Sequence, residues 1–296
     1  MSRIKADLLL VLTAIIWGAA FVCQKTAMDS IGPFTFIAAR FWLSAFVVFP
    51  LACRELSRRD NYSVSQNFRS IFMLGAVFVL GVTLQQLGVG YTTVTNAGFL
   101  TGLYAIFTPF FAWVLFRQRP LLIIWISAIF SVAGVWLLGG AASLTLNPGD
   151  LLVIGCACFF ALHTLLISHV VRRLCTPLFI AFCQYTICAT ISLVIALSTE
   201  TVTLSGLWMA GPAILYAGLL SGGVAYTLQI VAQQYTLPSD AGIILSSESL
   251  FAALAGVFYM GDTLSPLSWA GCGVIALSIL LIELAPILPR WRQSGK

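Results

Sequence analysis

Gly81-Val82-Thr83-Leu84-Gln85 and Ala225-Tyr226-Thr227-Leu228-Gln229 read as two copies of one segment, 144 residues apart. Moving outward without a gap, the same offset sets Tyr91-Thr92 on Tyr235-Thr236 and Asn96-Ala97-Gly98 on Asp240-Ala241-Gly242. It also sets Phe107 on Phe251, Trp125 on Trp269 and Pro33 on Pro177. Asp7-Leu8-Leu9 resembles Asp150-Leu151-Leu152 near the starts of the copies. Each copy holds five apolar segments by the count below, so it ends on the side of the membrane opposite to its start. The second copy then inserts upside down. Inverted repeats are the architecture of many secondary transporters, with a substrate site between the halves near the bilayer midplane. A duplicated but static membrane scaffold is the alternative.

Composition sets the class. The chain is 60% hydrophobic and 8% charged, against about 25% charged in soluble domains. A helix needs about 20 apolar residues to cross the hydrocarbon core. Ten such segments are expected, near 7–27, 33–53, 70–89, 94–116, 120–140, 151–170, 177–198, 207–231, 239–260 and 266–287. Their apolar runs are continuous, which excludes the alternating pattern of a barrel strand. Arg3 and Lys5 ahead of an apolar run imitate a signal peptide, but that run joins the repeat and is expected to stay in the mature protein. Turn signals separate the segments: Ile31-Gly32-Pro33, Leu264-Ser265-Pro266, and Asn147-Pro148-Gly149-Asp150 between the halves.

The net charge of +5 reports membrane orientation rather than nucleic-acid binding. Arg3, Lys5, Arg54, Arg58, Arg59, Arg69, Arg117, Arg119, Arg172, Arg173, Arg290, Arg292 and Lys296 all fall on one side of a ten-span arrangement. Lys25 falls on the other. The positive-inside rule then puts both termini in the cytoplasm. Of the eight cysteines, Cys23, Cys156, Cys158, Cys183, Cys188 and Cys272 lie within apolar segments, and no C-x-x-C occurs. Buried free cysteines behave as small hydrophobes, so neither disulfides nor metal sites are expected.

Small residues four apart let helix backbones approach closely in lipid. Gly98-x-x-x-Gly102 and its repeat mate Gly242-x-x-x-Ser246 suggest equivalent central positions for the fourth and ninth segments. Gly218-x-x-x-Gly222 marks a further contact in the eighth. The fifth and tenth segments hold few polar residues and read as peripheral.

An ionisable side chain at mid-membrane costs about 2.5–3.5 kcal/mol on insertion scales, so it faces a cavity or a partner. Arg40 reads as an anchor for a substrate carboxylate, or as a tie to carbonyls or an acid; its repeat mate is Gln184. Glu248 reads as a proton-coupling site, a contact for a substrate ammonium, or an internal tie; its mate is Tyr104. His163 is a packing residue or a proton relay. Gln85 and Gln229 are mates deep in their segments, suited to recognising a polar solute or to joining helices. Trp17, Tyr104, Phe107, Phe160 and Tyr226 add an aromatic wall or ordinary core. The expected binding set is Trp17, Arg40, Gln85, Tyr104, His163, Gln229 and Glu248. No nucleophile elbow, phosphate loop or metal-spaced cluster is present, so neither catalysis nor a cofactor is expected.

Ala14-Ile15-Ile16-Trp17-Gly18-Ala19-Ala20-Phe21, Ala38-Ala39-Arg40-Phe41 and Ser247-Glu248-Ser249-Leu250-Phe251-Ala252-Ala253 together resemble the motifs of the EamA family, in the drug/metabolite transporter superfamily. The resemblance covers both halves, 7–138 and 149–285. It implies ten helices as two inverted five-helix repeats and rocking alternating access. It further implies frequent export of amino acids or other small metabolites from the bacterial inner membrane. A glutamate near the ends of the second and fourth spans of each half belongs to the family pattern. Phe116-Arg117-Gln118 departs from it, and Met260-Gly261-Asp262 carries an aspartate. The expected partners are a small-molecule substrate and the lipid bilayer, with a homodimer compatible. A multidrug efflux pump for lipophilic cations and a non-transporting membrane receptor are the rival readings. Glu248, Asp240 and His163 are the candidate proton carriers.

Overall fold

The computed structural model describes residues 1–58, 64–138, 147–255, 257–258 and 264–284, and these are helical with short connections. Helix is what lipid demands, because each backbone N–H and C=O must be satisfied within its own segment. The elements are α1 Arg3–Ala27, α2 Pro33–Leu56, α3 Val64–Tyr91, α4 Val94–Thr101, α5 Tyr104–Val114 and α6 Leu122–Leu138. The second half holds α7 Pro148–Leu174, α8 Pro177–Thr199, α9 Leu204–Met209, α10 Gly211–Leu215, a π-helix Tyr216–Tyr226, α11 Thr227–Ala232, α12 Pro238–Leu245, α13 Glu248–Ala255 and α14 Pro266–Leu284.

Proline at the first helical position starts α2, α7, α8, α12 and α14. There its missing N–H is no loss and its φ is already helical. Asn147 closes a capping box at α7, accepting from the Asp150 N–H while its own N–H donates to the Asp150 carboxylate, each at 2.9 Å.

Among the described residues, seven helical stretches are long and apolar enough to cross a membrane, including the continuous rod Gly211–Ala232. Leu122–Leu138 and Pro266–Ile282 are apolar but shorter. The expected ninth segment is not one rod; it breaks between α12 and α13. Its repeat mate, the fourth, shows the same two-residue interruption of the α-helical ladder between α4 and α5, although Asn96–Val114 still runs as one spanning stretch. Large apolar side chains such as Phe46, Phe49, Val194 and Leu197 point outward, where hydrocarbon would cover them. The chain is therefore a multi-pass membrane protein.

Packing follows the repeat. α1 lies against the π-helix, α11, α12 and α13, and α7 lies against the mates of these, α3, α4 and α5. α2 pairs with its mate α8, and α6 with its mate α14 at the periphery. Mates run antiparallel: α4 meets α13 while α5 meets α12. At one end of the α2–α8 pair, Glu200 accepts from the Phe34 and Thr35 N–H groups, both at 2.8 Å. At the other, Glu55 accepts from the Phe179 N–H at 2.9 Å. Each glutamate thus caps the proline-started helix of the opposite half, satisfying donors that a helix N-terminus leaves free.

Close approach is set by small residues, as the spacing predicts. Ser249 Oγ donates to the Gly98 carbonyl at 2.6 Å. A methyl group on Gly242 would sit 2.9 Å from Thr108 Oγ1. On Gly222 it would overlap the Ser44 hydroxyl, which itself donates to the Gly218 carbonyl at 2.7 Å.

Candidate functional site: a cavity between the two halves

The two helix breaks are built alike. Leu103, Ala105 and Ile106 N–H groups donate three residues back, to Leu100, Gly102 and Leu103, at 3.3, 3.1 and 3.0 Å. Their mates Ser247, Ser249 and Leu250 donate to Ile244, Ser246 and Ser247 at 3.2, 3.2 and 2.9 Å. Such tightened turns interrupt the regular ladder, as occurs at hinges and in strained sequence. Tyr104 and Glu248 are the first residues past the breaks. Both line one cavity to which helices of both halves contribute.

All seven residues expected at a site reach this one cavity: Trp17, Arg40, Gln85, Tyr104, His163, Gln229 and Glu248. They come from α1, α2, α3, α5, α7, α11 and α13, hence from both halves. Phe160 and Tyr226 of the expected aromatic wall also line it. Phe107 instead packs in the core beside Tyr104 and Leu245. The Trp17 and Tyr226 rings lie 4.4 Å apart, and the Trp17 indole N–H donates to the Ser221 carbonyl at 3.2 Å. That bond fixes the wall where the π-helix presents its backbone.

The polar groups are unequally satisfied. His163 Nε2 and Gln184 Oε1 are 3.0 Å apart, and the imidazole lies against Phe78 with ring centroids 4.9 Å apart. Arg40, mate of Gln184, is 2% exposed, yet its Nε and Nη2 have no hydrogen-bond partner. Its guanidinium lies 5.2 Å from the Phe36 ring centre and 4.7 Å from that of Phe41. Among the described residues neither the carbonyl tie nor the acid tie is made, and no carboxylate lies within 4 Å of it. The Tyr104 hydroxyl has the Glu248 carboxyl as a neighbour but stops short of hydrogen-bonding geometry. Gln85 reaches the Thr101 hydroxyl at only 3.5 Å, and Gln229 Oε1 has no partner. A buried amide or guanidinium left open in this way costs free energy, so the cavity is primed for a polar ligand.

Polar ties join helix ends on both faces, again in mated form. The Thr236 hydroxyl donates to Asp7 and the Thr92 hydroxyl to Asp150, each at 2.6 Å. Lys25 Nζ donates to the Val89, Gly90 and Thr92 carbonyls, and Arg172 to the Thr236 carbonyl. One face is further held by Arg3, which pairs with Asp7 at 3.3 Å and Asp240 at 3.0 Å. The mate of Asp240 is the uncharged Asn96.

Sequence reasoning missed Gln24, Thr164 and Ser221, which also line the cavity, and it missed Glu55 and Glu200. The signal for the glutamates was present: an acid closes the second segment of each half, opposite a helix that opens on proline. Phe116 to Gln118 form no site with the cavity, and Met260-Gly261-Asp262 lie outside the described residues.

Against this geometry, a sequence model of the EamA-like transporter family matches residues 4–140 and 147–284. The chain belongs to the EamA-like transporter family. That family lies within the drug/metabolite transporter superfamily. A relative from Archaeoglobus fulgidus, named an uncharacterized transporter, is 32% identical over 96% of this chain and 87% of its own length. Uncharacterized transporter YwfM of Bacillus subtilis is 29% identical over 95% of this chain and 94% of its own. A solved crystal structure sharing 17% identity aligns over 98% of this EamA-like chain and 99% of that one, with a TM-score of 0.78. That likeness speaks to the fold alone.

Proposed function

We propose that this EamA-like protein is a secondary transporter that exports small metabolites such as amino acids across the bacterial inner membrane by alternating access. The observation that carries the reading is the cavity between the halves, bounded by two helices broken at mated positions. The repeat interface is where transporters of this architecture bind substrate. In this reading the repeats are 7–138 and 149–285, each of five spans and inverted relative to the other, with both termini cytoplasmic. The antiparallel mates and the arginine-rich side support it. Trp17, Arg40, Gln85, Tyr104, His163, Gln229 and Glu248 bind the substrate, and Glu248 receives its ammonium group. The halves rock about the cavity, breaking the Asp7–Thr236 and Asp150–Thr92 ties alternately.

The test is uptake of a labelled amino-acid and metabolite panel into proteoliposomes, with and without an imposed pH gradient. Accumulation that needs the gradient supports proton coupling; equilibration without it supports facilitated diffusion; no movement of any panel member rejects the reading. A second reading, efflux of lipophilic cations, draws on the aromatic residues Trp17, Phe21, Phe160 and Tyr226 that share the cavity with Glu248. It predicts resistance to such cations that disappears in Glu248→Gln.

A further inference from the structure

We propose that Arg40 is the anchor for a carboxylate on the transported molecule, so that the substrates of this protein are carboxylic acids or zwitterions and not simple amines. The inference rests on the transporter reading but concerns binding, which can be measured apart from transport.

The argument begins with what Arg40 lacks. A guanidinium keeps its charge in any protein environment and presents five N–H donors. Buried in a membrane bundle, it requires an anion or several acceptors. Arg40 is 2% exposed, and the Phe36 and Phe41 rings beside it contribute no hydrogen-bond acceptor of ordinary strength. Among the described residues, Nε and Nη2 have no partner and no carboxylate pairs with the group. A residue needed only to tie helices would show the tie. The repeat mate supplies the comparison: Gln184 occupies the equivalent place in α8 and is engaged by His163 at 3.0 Å. One half therefore fills this position with a neutral amide whose oxygen is engaged, and the other with an unpaired charge facing the cavity.

Ligand chemistry follows from the donors. The planar guanidinium fork matches a carboxylate, which can accept two parallel N–H bonds. Glu248, the one carboxylic acid among the described residues that line the cavity, is not paired with Arg40. The guanidinium and the carboxyl thus remain separate, which suits a ligand that carries both an acidic and a basic group. Trp17, Phe21, Phe160, Tyr226 and Leu245 leave apolar surface for the remainder of such a molecule.

The test is ligand binding to the purified full-length protein in detergent, read by thermal shift and by tryptophan quenching. The probes are the standard L-amino acids and a set of short mono- and dicarboxylates. For each amino acid that binds, the matched decarboxylated amine and des-amino acid are added. Chloride and gluconate buffers form a separate arm. Wild type is expected to bind carboxylate-bearing probes at least 10-fold more tightly than their matched amines. Arg40→Gln, which copies the repeat mate, should remove that preference while leaving the weak amine binding in place. Arg40→Lys should retain part of the preference, since the charge stays but the bidentate fork is lost.

The proposal is overturned if no carboxylate binds or if amines bind as tightly as the amino acids. It is equally overturned if Arg40→Gln keeps the carboxylate preference or loses amine binding too, which would mark a purely structural residue. Stabilisation by chloride equal to that by carboxylates would make Arg40 a resident counter-ion site and also reject it. Should Arg40→Gln fail to fold, the wild-type probe series and Arg40→Lys still decide. Carboxylate binding without transport would instead count against the transporter reading.

Discussion

Truncating Glu200 tests whether the α2–α8 pair is clamped by reciprocal caps. The carboxylate of Glu200 accepts three hydrogen bonds, from Phe34 N and Thr35 N at 2.8 Å and from Thr35 Oγ1 at 2.6 Å. The N-cap of α2 is Gly32, which has no side chain to take over. Bonds to a charged acceptor are worth about 1.5–3 kcal/mol each when one partner is deleted from a buried site. At a partly exposed helix end, water recovers much of that. An N-cap contributes about 0.5–2 kcal/mol, and a negative charge at a helix N-terminus about 0.3–1 kcal/mol. Glu200→Ala should therefore destabilise by about 2 kcal/mol. Glu200→Gln, which keeps one acceptor and loses the charge, should cost about 1 kcal/mol. The assay is equilibrium unfolding in mixed micelles of dodecyl maltoside and SDS, followed by tryptophan fluorescence. A Glu55→Ala change removes the mirror cap at Phe179 N. α2 has 24 residues, so the two caps lie roughly 36 Å apart. Their effects should add, as distant substitutions do. Glu200→Ala within about 0.5 kcal/mol of wild type, the range of ordinary surface substitutions, would refute the clamp.

Three further outcomes are expected. Glu248→Gln should lower transport in proteoliposomes at least about 10-fold, the equivalent of about 1.4 kcal/mol, with unfolding unchanged; wild-type rates would remove Glu248 from the site. Gly18→Ala should destabilise by about 1–3 kcal/mol, because its new methyl would lie 2.5 Å from Phe251 Cβ and 2.6 Å from the Ala252 nitrogen; Gly273→Ala, facing open space, is the neutral control. Asp7→Ala and Asp150→Ala each lose a 2.6 Å threonine bond, worth about 1–3 kcal/mol if the donor stays buried. The Asp7 change also removes one of the two ion pairs of Arg3, whose side chain is 33% exposed, and leaves the one to Asp240, so wild-type stability should fall with added salt somewhat more than that of Asp7→Ala; equal salt slopes would count against an ionic Arg3–Asp7 tie.

Much of this protein is determined by its sequence alone, because bilayer insertion and helix formation are short-range. Hydropathy decides that a segment enters lipid, and lipid forces that segment to be helical. The offset of 144 residues paired Tyr104 with Glu248 and Gln85 with Gln229 before any contact was known. Insertion cost singled out Arg40, His163 and Glu248, and all three line one cavity. Periodic apolar runs could not show that the fourth and ninth segments break. The breaks depend on i→i−3 turns at Gly102-Leu103 and Ser246-Ser247, with Ser246 and Ser249 bonded to neighbouring helices.

Only the tertiary structure decided which polar groups meet. His163 and Gln184 are 21 residues apart and paired, whereas Arg40, in the mated position, remains unpaired. Glu200 caps a helix that begins 167 positions earlier in the chain, at Pro33. Such pairings depend on how each helix is rotated about its axis and how closely it approaches its neighbour. Those quantities are set by small-residue contacts such as Gly18 on α13 and Gly222 on Ser44, and local composition does not encode them.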